Sequence, residues 1–365
     1  MMKPDNIITE IRTLDWSQQF LFVLGMMKLI LVAAFFASFA VIEQANAETV
    51  SAESCNGKNL LEALERDDPA KHAAVMQEAA KIENADSIFW RVEKPNQPTS
   101  WLYGTMHMAD PVIATIPDDV KKAILASDTV VIESVEALDQ KSTAKAMAGL
   151  AHLTLLREGT LRDLVDDDFE DELEVAVTDR GIPMTLADRM QPWLIATTVA
   201  LPVCEMKRKR LGEKVLDSAL AEFAQENNKN VEGLESVAEQ LTAIASLPVE
   251  YHVSALEETL SAGSLALDVI ETMKGLYREG QIGAVLPLMK AVMPKSSMGE
   301  GMANFQEVLI DKRNKTMAER AMPLLENGSA FVAVGALHLP GETGLVNLLR
   351  EAGYIVTSAR TNTLN

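Results

Sequence analysis

The sequence predicts an α/β protein in which a central mixed β-sheet is completed from both ends of the chain around a large helical insertion. Short apolar segments of strand type lie near both ends of the chain. Between about residue 138 and residue 326, apolar side chains instead recur at the i, i+3, i+4 spacing of helices. Hydrophobic residues make up 48% of the 365 residues, which is enough for a core of ordinary size. We therefore expect a single domain over residues 48–365, with the insertion at about 138–326.

The expected strands follow in order along the chain. Residues 87–92 and 100–103 are predicted to form a hairpin across a turn that contains Pro95, Asn96 and Pro98. The remaining strands are expected at 129–132, 231–235, 330–334 and 354–356. Helices are expected at 56–66, 69–84, 165–180, 215–227, 302–325 and 341–352, and Ser236 is expected to cap a further helix.

Residues 1–47 have the layout of a secretory signal peptide. An apolar run over 29–42 follows a lysine and precedes Ala45 and Ala47, which form an A-x-A cleavage site. Translation from Met26 or Met27 would give this signal ordinary proportions. The mature protein is therefore expected to be periplasmic or secreted.

Cysteine content agrees with export. Cys55 and Cys204 both follow the expected cleavage site, and an even count in an exported chain is typical of one structural disulfide. The alternative is a pair of buried free thiols. Two cysteines that are far apart in the sequence exclude a C-x-x-C redox motif and an all-cysteine zinc site.

The charge of the chain limits its partners. A net charge of −20 argues against a nucleic-acid partner, because phosphate binding requires a clustered basic face. The basic run at 207–210 is short, and we interpret it as a solvated helix or loop face. Membrane contact is expected only if the signal stays uncleaved, since residues 20–42 are long enough to span a bilayer as an anchor.

Two of the five histidines occupy the same local frame. Gly104–His107 and Gly335–His338 each follow an apolar strand with glycine, two further residues, histidine and then an apolar residue. Glycine lets the backbone turn or approach a neighbour closely, so that the imidazole is presented from the carboxyl edge of the sheet, where ligand sites of open α/β sheets assemble. A lone strand-end histidine is more often a hydrogen-bonded structural residue, but the matched frames favour a shared site.

Two carboxylates follow strands in the same way. Glu133 follows the strand at 129–132, and Glu235 follows residues 231–234. Two histidines with one or two carboxylates suit a divalent transition metal, with a metal-activated water as nucleophile and a spare carboxylate as general base. The alternatives are a structural pairing for Glu133 and, for Glu235, a helix N-terminal acid favoured by the macrodipole.

Other catalytic patterns are missing from the sequence. It contains no H-E-x-x-H helix, no G-x-S-x-G elbow and no Walker or dinucleotide-type glycine loop. Arg313 and Asn314 lie on a predicted helix with Glu319 and Arg320, which by itself indicates a solvated charge pattern. The residues alone therefore favour a metal-dependent hydrolase.

Several blocks of sequence also carry a family resemblance. They are Gly104-Thr105-Met106-His107, Val131-Ile132-Glu133, Gly233-Leu234-Glu235, Arg313-Asn314 with Met317, and Val334-Gly335-Ala336-Leu337-His338-Leu339-Pro340-Gly341. Together they resemble the TraB/GumN family, which also includes the Tiki ectodomains. The likeness runs in order from about residue 54 to residue 358, and the final block is its most specific part.

This resemblance implies a metal-dependent protease activity, as shown for the Tiki branch, with a peptide or protein as substrate. Manganese or cobalt is the implied metal, although the same donors suit zinc. Carried over by position, His107 and His338 would be metal ligands and Glu133 a ligand or base. Glu235 would complete the shell, and Arg313 would stabilise the oxyanion.

Two other functions stay open. A non-catalytic binding or accessory protein for envelope polysaccharide or peptide signals would use the metal site structurally, and would bind metal tightly without turnover. An esterase-type hydrolase would activate water with a histidine and without metal, so that its activity would survive exhaustive chelation.

Overall fold

The computed structural model describes Cys55 and residues 57–292 and 304–359. The predicted signal peptide, residues 1–47, lies outside the described residues. Within those ranges, none of the helices combines the length and the apolar character needed to cross a membrane.

A six-stranded mixed sheet forms the centre of this described part of the chain. Its strands are β1 (Phe89–Glu93), β2 (Ser100–Thr105), β3 (Thr129–Ile132), β4 (Asn230–Gly233), β5 (Ala330–Gly335) and β6 (Ile355–Ser358). In space they follow the order β4-β3-β5-β2-β1-β6. Strands β4, β3, β5 and β2 run parallel, whereas β1 pairs antiparallel with both β2 and β6. The predicted mixed sheet, completed from both ends of the chain, is confirmed.

Helices precede the sheet, connect its strands and make up most of the insertion. In chain order they are α1 (Leu60–Asp67), α2 (Pro69–Ala79), α3 (Pro111–Ala114), α4 (Asp118–Ala126), α5 (Gln140–Gly149), α6 (Ala151–Thr154), α7 (Glu170–Asp179), α8 (Met184–Ala187), α9 (Pro192–Ala200), α10 (Val203–Arg210), α11 (Leu216–Glu226), α12 (Val237–Ala245), α13 (Val249–Ala262), α14 (Leu265–Glu279), α15 (Val285–Val292), α16 (Lys312–Asn327) and α17 (Leu345–Glu351). A π-helical segment, Gln306–Asp311, leads directly into α16.

The central parallel strands are covered on both faces. Val130 and Val131 of β3, and Phe331 and Val334 of β5, point to opposite faces of the sheet and are each 0% exposed. Parallel strands packed between helices have no solvent face, so they need near-continuous apolar runs rather than alternation. This burial explains why both strands could be predicted from uninterrupted apolar sequence.

The predicted hairpin is present as β1 and β2. Phe89 lies opposite Tyr103 in the antiparallel register. The connecting turn places Asn96 at φ 63°, a left-handed conformation that asparagine tolerates better than most residues. The hairpin therefore delivers the first Gly-x-x-His segment at the end of β2.

Helix boundaries differ from the predictions in several places: the helices expected at 69–84 and 165–180 are Pro69–Ala79 and Glu170–Asp179, and a further difference lies beside the site. Residues 341–344 were expected to be helical, but α17 begins at Leu345 with Gly344 as its N-cap. Gly341 adopts φ 84°, which cannot continue a right-handed helix, and its N–H donates to the Glu83 carbonyl at 2.7 Å. By contrast, Ser236 caps α12 as predicted, through a capping box.

Cys55 and Cys204 form a disulfide, with their Cα atoms 5.7 Å apart. The bond joins the segment before α1 to the first turn of α10. The free-thiol alternative is therefore wrong. A structural disulfide is compatible with an extracellular or secreted protein, because such bonds persist in oxidising surroundings.

Candidate active site

Four parallel strands bring the predicted site residues to one edge of the sheet. His107 follows β2, Glu133 follows β3, Glu235 follows β4 and His338 follows β5. The carboxyl ends of parallel strands meet at the same edge, and these four strands are consecutive in the sheet. The register aligns the ends of β2 and β5, so the two Gly-x-x-His segments begin side by side.

Glu133 lies between the two imidazoles. Its Oε1 is 4.0 Å from His107 Nε2 and 3.8 Å from His338 Nε2. The same oxygen accepts the Gly335 N–H at 2.6 Å. A Cβ on Gly335 would lie 3.1 Å from Glu133 Oε1 and 3.8 Å from His107 Nε2. The missing side chain of Gly335 therefore keeps the space between the three donor atoms open.

The second oxygen of Glu133 is held from the opposite side. Arg313 Nη2 donates to Oε2 at 2.9 Å, and Gln240 Nε2 donates to it at 3.1 Å. Burial by itself raises the pKa of Glu133, but His338, His107, Arg313 and a backbone N–H outweigh this effect and lower the pKa to about 2. Glu133 is therefore a fixed anion over the whole physiological range of pH.

Asp217 orients the His107 ring. The Nδ1 atom of His107 is 2.8 Å from Asp217 Oδ2, and Asp217 Oδ1 accepts the Thr105 hydroxyl at 2.9 Å. Because a carboxylate only accepts, Nδ1 carries the proton and Nε2 faces Glu133. Partial burial of the ring lowers its pKa, but the charge of Asp217, the hydrogen bond to it and the charge of Glu133 prevail and raise the pKa of His107 to about 9.

Asn314 orients the His338 ring in a different way. The Nδ1 atom of His338 is 2.7 Å from Asn314 Oδ1, while Asn314 Nδ2 donates to the Thr343 carbonyl at 2.8 Å. The amide thus presents its oxygen to the ring, so Nδ1 carries the proton and Nε2 keeps its lone pair. Burial is the main reason that the pKa of His338 falls to about 4; the Glu133 charge opposes this change, and Arg313 reinforces it.

Arg313 binds both carboxylates. Its Nη2 donates to Glu235 Oε2 at 2.7 Å as well as to Glu133, and its Nε donates to Glu235 at 3.0 Å. Its Nη1 donates to the Leu309 carbonyl at 3.3 Å. These contacts make Arg313 an orienting group for Glu133 and Glu235. The oxyanion role that the resemblance implies for Arg313 stays a prediction.

The three central donor atoms, His107 Nε2, His338 Nε2 and Glu133 Oε1, are of the types that bind a divalent cation. Both histidines engage Nδ1 with the protein and direct Nε2 at a carboxylate oxygen, which is how metal-ligating histidines are held. Ligands on a tetrahedral metal lie about 3.4 Å apart, less than the distances found here. Within the described ranges, no group of three or more His, Cys, Asp or Glu side chains already meets metal-site geometry. The donor types and the space beside Gly335 fit a divalent cation.

Asp217, Asn314 and Gln240 belong to this site, but only Asn314 was singled out from the sequence. The interpretation of the Arg313-Asn314 pair as a solvated charge pattern is wrong for Asn314, which is 0% exposed. One signal could have identified Asp217. Leu216, Leu220 and Ala224 form the buried face of α11, and Asp217 lies beside Leu216 on that face. A carboxylate on the apolar face of a helix is costly unless it has a partner, and here the partners are His107 and Thr105.

Comparisons with known proteins show which family the chain resembles. A model of the TraB/PrgY/gumN family matches residues 88–358. The chain is 26% identical over 322 residues to "Metalloprotease TIKI homolog" of Nematostella vectensis, covering 75% of this chain and 67% of the relative. It is also 26% identical over 322 residues to "Metalloprotease TIKI1" of Homo sapiens, covering 75% of this chain and 62% of the relative.

A bacterial relative is matched over more of its own length. The chain is 24% identical over 251 residues to "Uncharacterized protein YbaP" of Escherichia coli, covering 68% of this chain and 87% of that protein. The chain thus spans about two thirds or less of the length of the animal relatives. No solved structure matches it significantly.

Proposed function

Because the chain belongs to the TraB/PrgY/gumN family, we propose that it is an exported metal-dependent hydrolase that acts as a peptidase. The observation that carries the proposal is the convergence of two imidazole Nε2 atoms on Glu133 Oε1, at 3.8 and 4.0 Å. The relatives named metalloproteases support the choice of a peptide or protein substrate. Export is supported by the predicted signal over residues 1–47 and by the disulfide.

His107, His338 and Glu133 would hold the cation, with manganese or cobalt favoured and zinc also suited to the donors. When bound, the cation supplies a Lewis acid that activates water and polarises the scissile carbonyl. The pKa of His338 is lowered to about 4, so its Nε2 lone pair is available at neutral pH. His107, whose pKa is raised to about 9, would release its Nε2 proton when the cation binds. A pKa of about 2 suits Glu133 to metal binding better than to general base catalysis, which requires a pKa near the working pH.

The surrounding residues hold these donors. Asp217 and Asn314 fix the two imidazole rings, and Arg313 fixes Glu133. Glu235 pairs with Arg313, and through it supports the orientation of Glu133. Pre-set donors of this kind lower the cost of ordering the site when the cation and the substrate bind.

The substrate would approach from the side of His107. The His107 side chain is 57% exposed, whereas the side chains of Glu133 and His338 are only 8% and 5% exposed. The site is therefore open on one side and closed beneath, and an extended peptide could reach it without unfolding of the protein.

The test compares His338→Ala with His252→Ala. His252 is also buried and is hydrogen-bonded to the Ile244 carbonyl, so its substitution is a matched control for the loss of a buried histidine. With Mn²⁺, the native chain and His252→Ala should cleave unstructured peptides, and His338→Ala should lose at least a hundredfold in rate. Peptide cleavage is read by mass spectrometry, and bound metal by elemental analysis.

The remaining outcomes separate the other functions. Equal cleavage by His338→Ala and the native chain contradicts the metallopeptidase. Tight Mn²⁺ binding without turnover of peptides or esters indicates a binding or accessory protein. Hydrolysis that survives exhaustive chelation indicates a metal-independent hydrolase.

A further inference from the structure

The chain that carries His107 forms a very tight turn. The Met108 N–H donates to the Met106 carbonyl at 2.8 Å, which makes His107 the central residue of a γ-turn. A three-residue turn sets the direction of its central side chain only if the chain on both sides is anchored. Strand β2 anchors one side, and residues 108–110 must anchor the other.

The anchor on the second side is a buried carboxylate from α10. The Ala109 N–H donates to Glu205 Oε2 at 2.8 Å, and Glu205 is 0% exposed. A buried backbone N–H without an acceptor would be costly, and a carboxylate is a strong acceptor. Glu205 also pairs with Arg208, so the interpretation of residues 207–210 as a solvated face is wrong for Arg208, whose side chain is only 16% exposed.

The next residue is held by the same group of charges. Asp110 Oδ2 accepts Lys274 Nζ at 2.8 Å and Arg208 Nη1 at 3.1 Å. Asp110 and Glu205 thus face Arg208 and Lys274, and Lys274 also pairs with Glu271 at 2.7 Å. Breaking one buried pair would leave an uncompensated charge, so the cluster is rigid as a unit.

Covalent and hydrogen bonds hold the helices that supply these charges. Cys204, next to Glu205, is bonded to Cys55. A few residues after Cys55, the Leu60 N–H donates to Thr272 Oγ1 at 2.8 Å, on the same helix as Lys274. The disulfide and the Leu60–Thr272 hydrogen bond therefore hold in place the two helices that supply Glu205, Arg208 and Lys274.

We propose that Glu205 is a positioning residue for His107: by fixing the Ala109 backbone, it sets the direction of the imidazole on an otherwise exposed turn. The consequence for metal binding rests on the proposed function, whereas the effect on the orientation of the His107 ring does not.

The test uses the full chain with Glu205→Ala and the conservative Glu205→Gln. Glutamine keeps an acceptor for the Ala109 N–H, and alanine removes it. Leu256→Ala is the control for lost stability, since Leu256 is 0% exposed on α13 and makes no part of this cluster. The readouts are the His107 imidazole resonances of the metal-free protein and the Mn²⁺ affinity by calorimetry.

The expected result is a shifted and broadened His107 resonance in Glu205→Ala with about tenfold weaker Mn²⁺ binding, as for loss of an outer-shell partner. Glu205→Gln should keep most of the native His107 resonance position and Mn²⁺ affinity. Leu256→Ala should change neither the resonance nor the affinity. The proposal is overturned if Glu205→Ala and Glu205→Gln give the same His107 resonance and the same Mn²⁺ affinity. It is also overturned if Glu205→Ala gives the values of the Leu256→Ala control.

Two further results keep the test decisive. If Glu205→Ala does not fold, the Ala109 amide and His107 imidazole resonances are followed in Glu205→Gln; an amide shift without an imidazole shift refutes the positioning role. If the native chain binds no Mn²⁺, the proposed function fails, while the metal-free resonances still decide the role of Glu205.

Discussion

Asp217 controls the charge of His107 as well as its orientation. The carboxylate lies 2.8 Å from Nδ1 and helps to raise the pKa of the ring to about 9. A group whose pKa is higher in the folded state stabilises the fold below its unfolded pKa, near 6.5, and loses that contribution as the pH rises through about 9. Folding stability should therefore decline between these values in the metal-free protein.

Asp217→Asn should remove most of this effect, because the amide keeps the size and one acceptor but not the charge. We expect the pKa of His107 to fall toward 6.5. An NMR titration of the metal-free protein measures this change. Asp188→Asn, which alters a carboxylate beside Arg162, is the control. An unchanged titration of His107 in Asp217→Asn would contradict this account.

Some residues of the site can be predicted from the sequence, and others cannot. His107, His338, Glu133 and Glu235 could be picked out because each follows a strand, and strand ends share an edge. Asp217 could not be paired with His107 from sequence alone, since 110 positions separate them. Their contact depends on how α11 packs, which local patterns do not specify.

At the level of elements, the strands were more predictable than the ends of helices. Strands β3 and β5 are buried on both faces, so their apolar runs have one simple interpretation. Strand β4 follows Asn228, whose left-handed φ of 57° separates it from the preceding helix α11. The start of α17 was missed because Gly341, Gly344 and the chain between them form a turn, which a helical apolar pattern does not reveal.

Gly335, at the end of β5, allows a test of whether the cation occupies the space between the donor atoms. Gly335 has φ −51° and ψ 135°, which alanine adopts without backbone strain. Its Cβ would nevertheless lie 3.1 Å from Glu133 Oε1 and 3.8 Å from His107 Nε2. We expect at least a tenfold loss of Mn²⁺ affinity by calorimetry.

The matched control is Gly149→Ala, at the end of α5, where an added Cβ meets nothing within 4 Å. Gly149→Ala should bind Mn²⁺ as the native chain does. If Gly335→Ala binds equally well, the cation does not occupy the space beside Gly335, and the donor set must be reassigned.

For the molecule as a whole, the disulfide ties the beginning of the described chain to the middle of the insertion. Cys55 and Cys204 are 149 residues apart, and closing a loop of that length restricts the unfolded chain by up to about 5 kcal/mol on the chain-entropy model. Cys55→Ser with Cys204→Ser should therefore lower the free energy of unfolding by several kcal/mol, within that limit. Urea denaturation of the native and variant chains, both without reductant, measures the difference.

Reductant supplies the control for this prediction. It should lower the urea midpoint of the native chain to that of the double variant and leave the variant unchanged, because the structure holds no free cysteine in its described residues. A native chain whose midpoint does not respond to reductant would mean that the bond contributes nothing to global stability. Its effect would then be local to the first turn of α10.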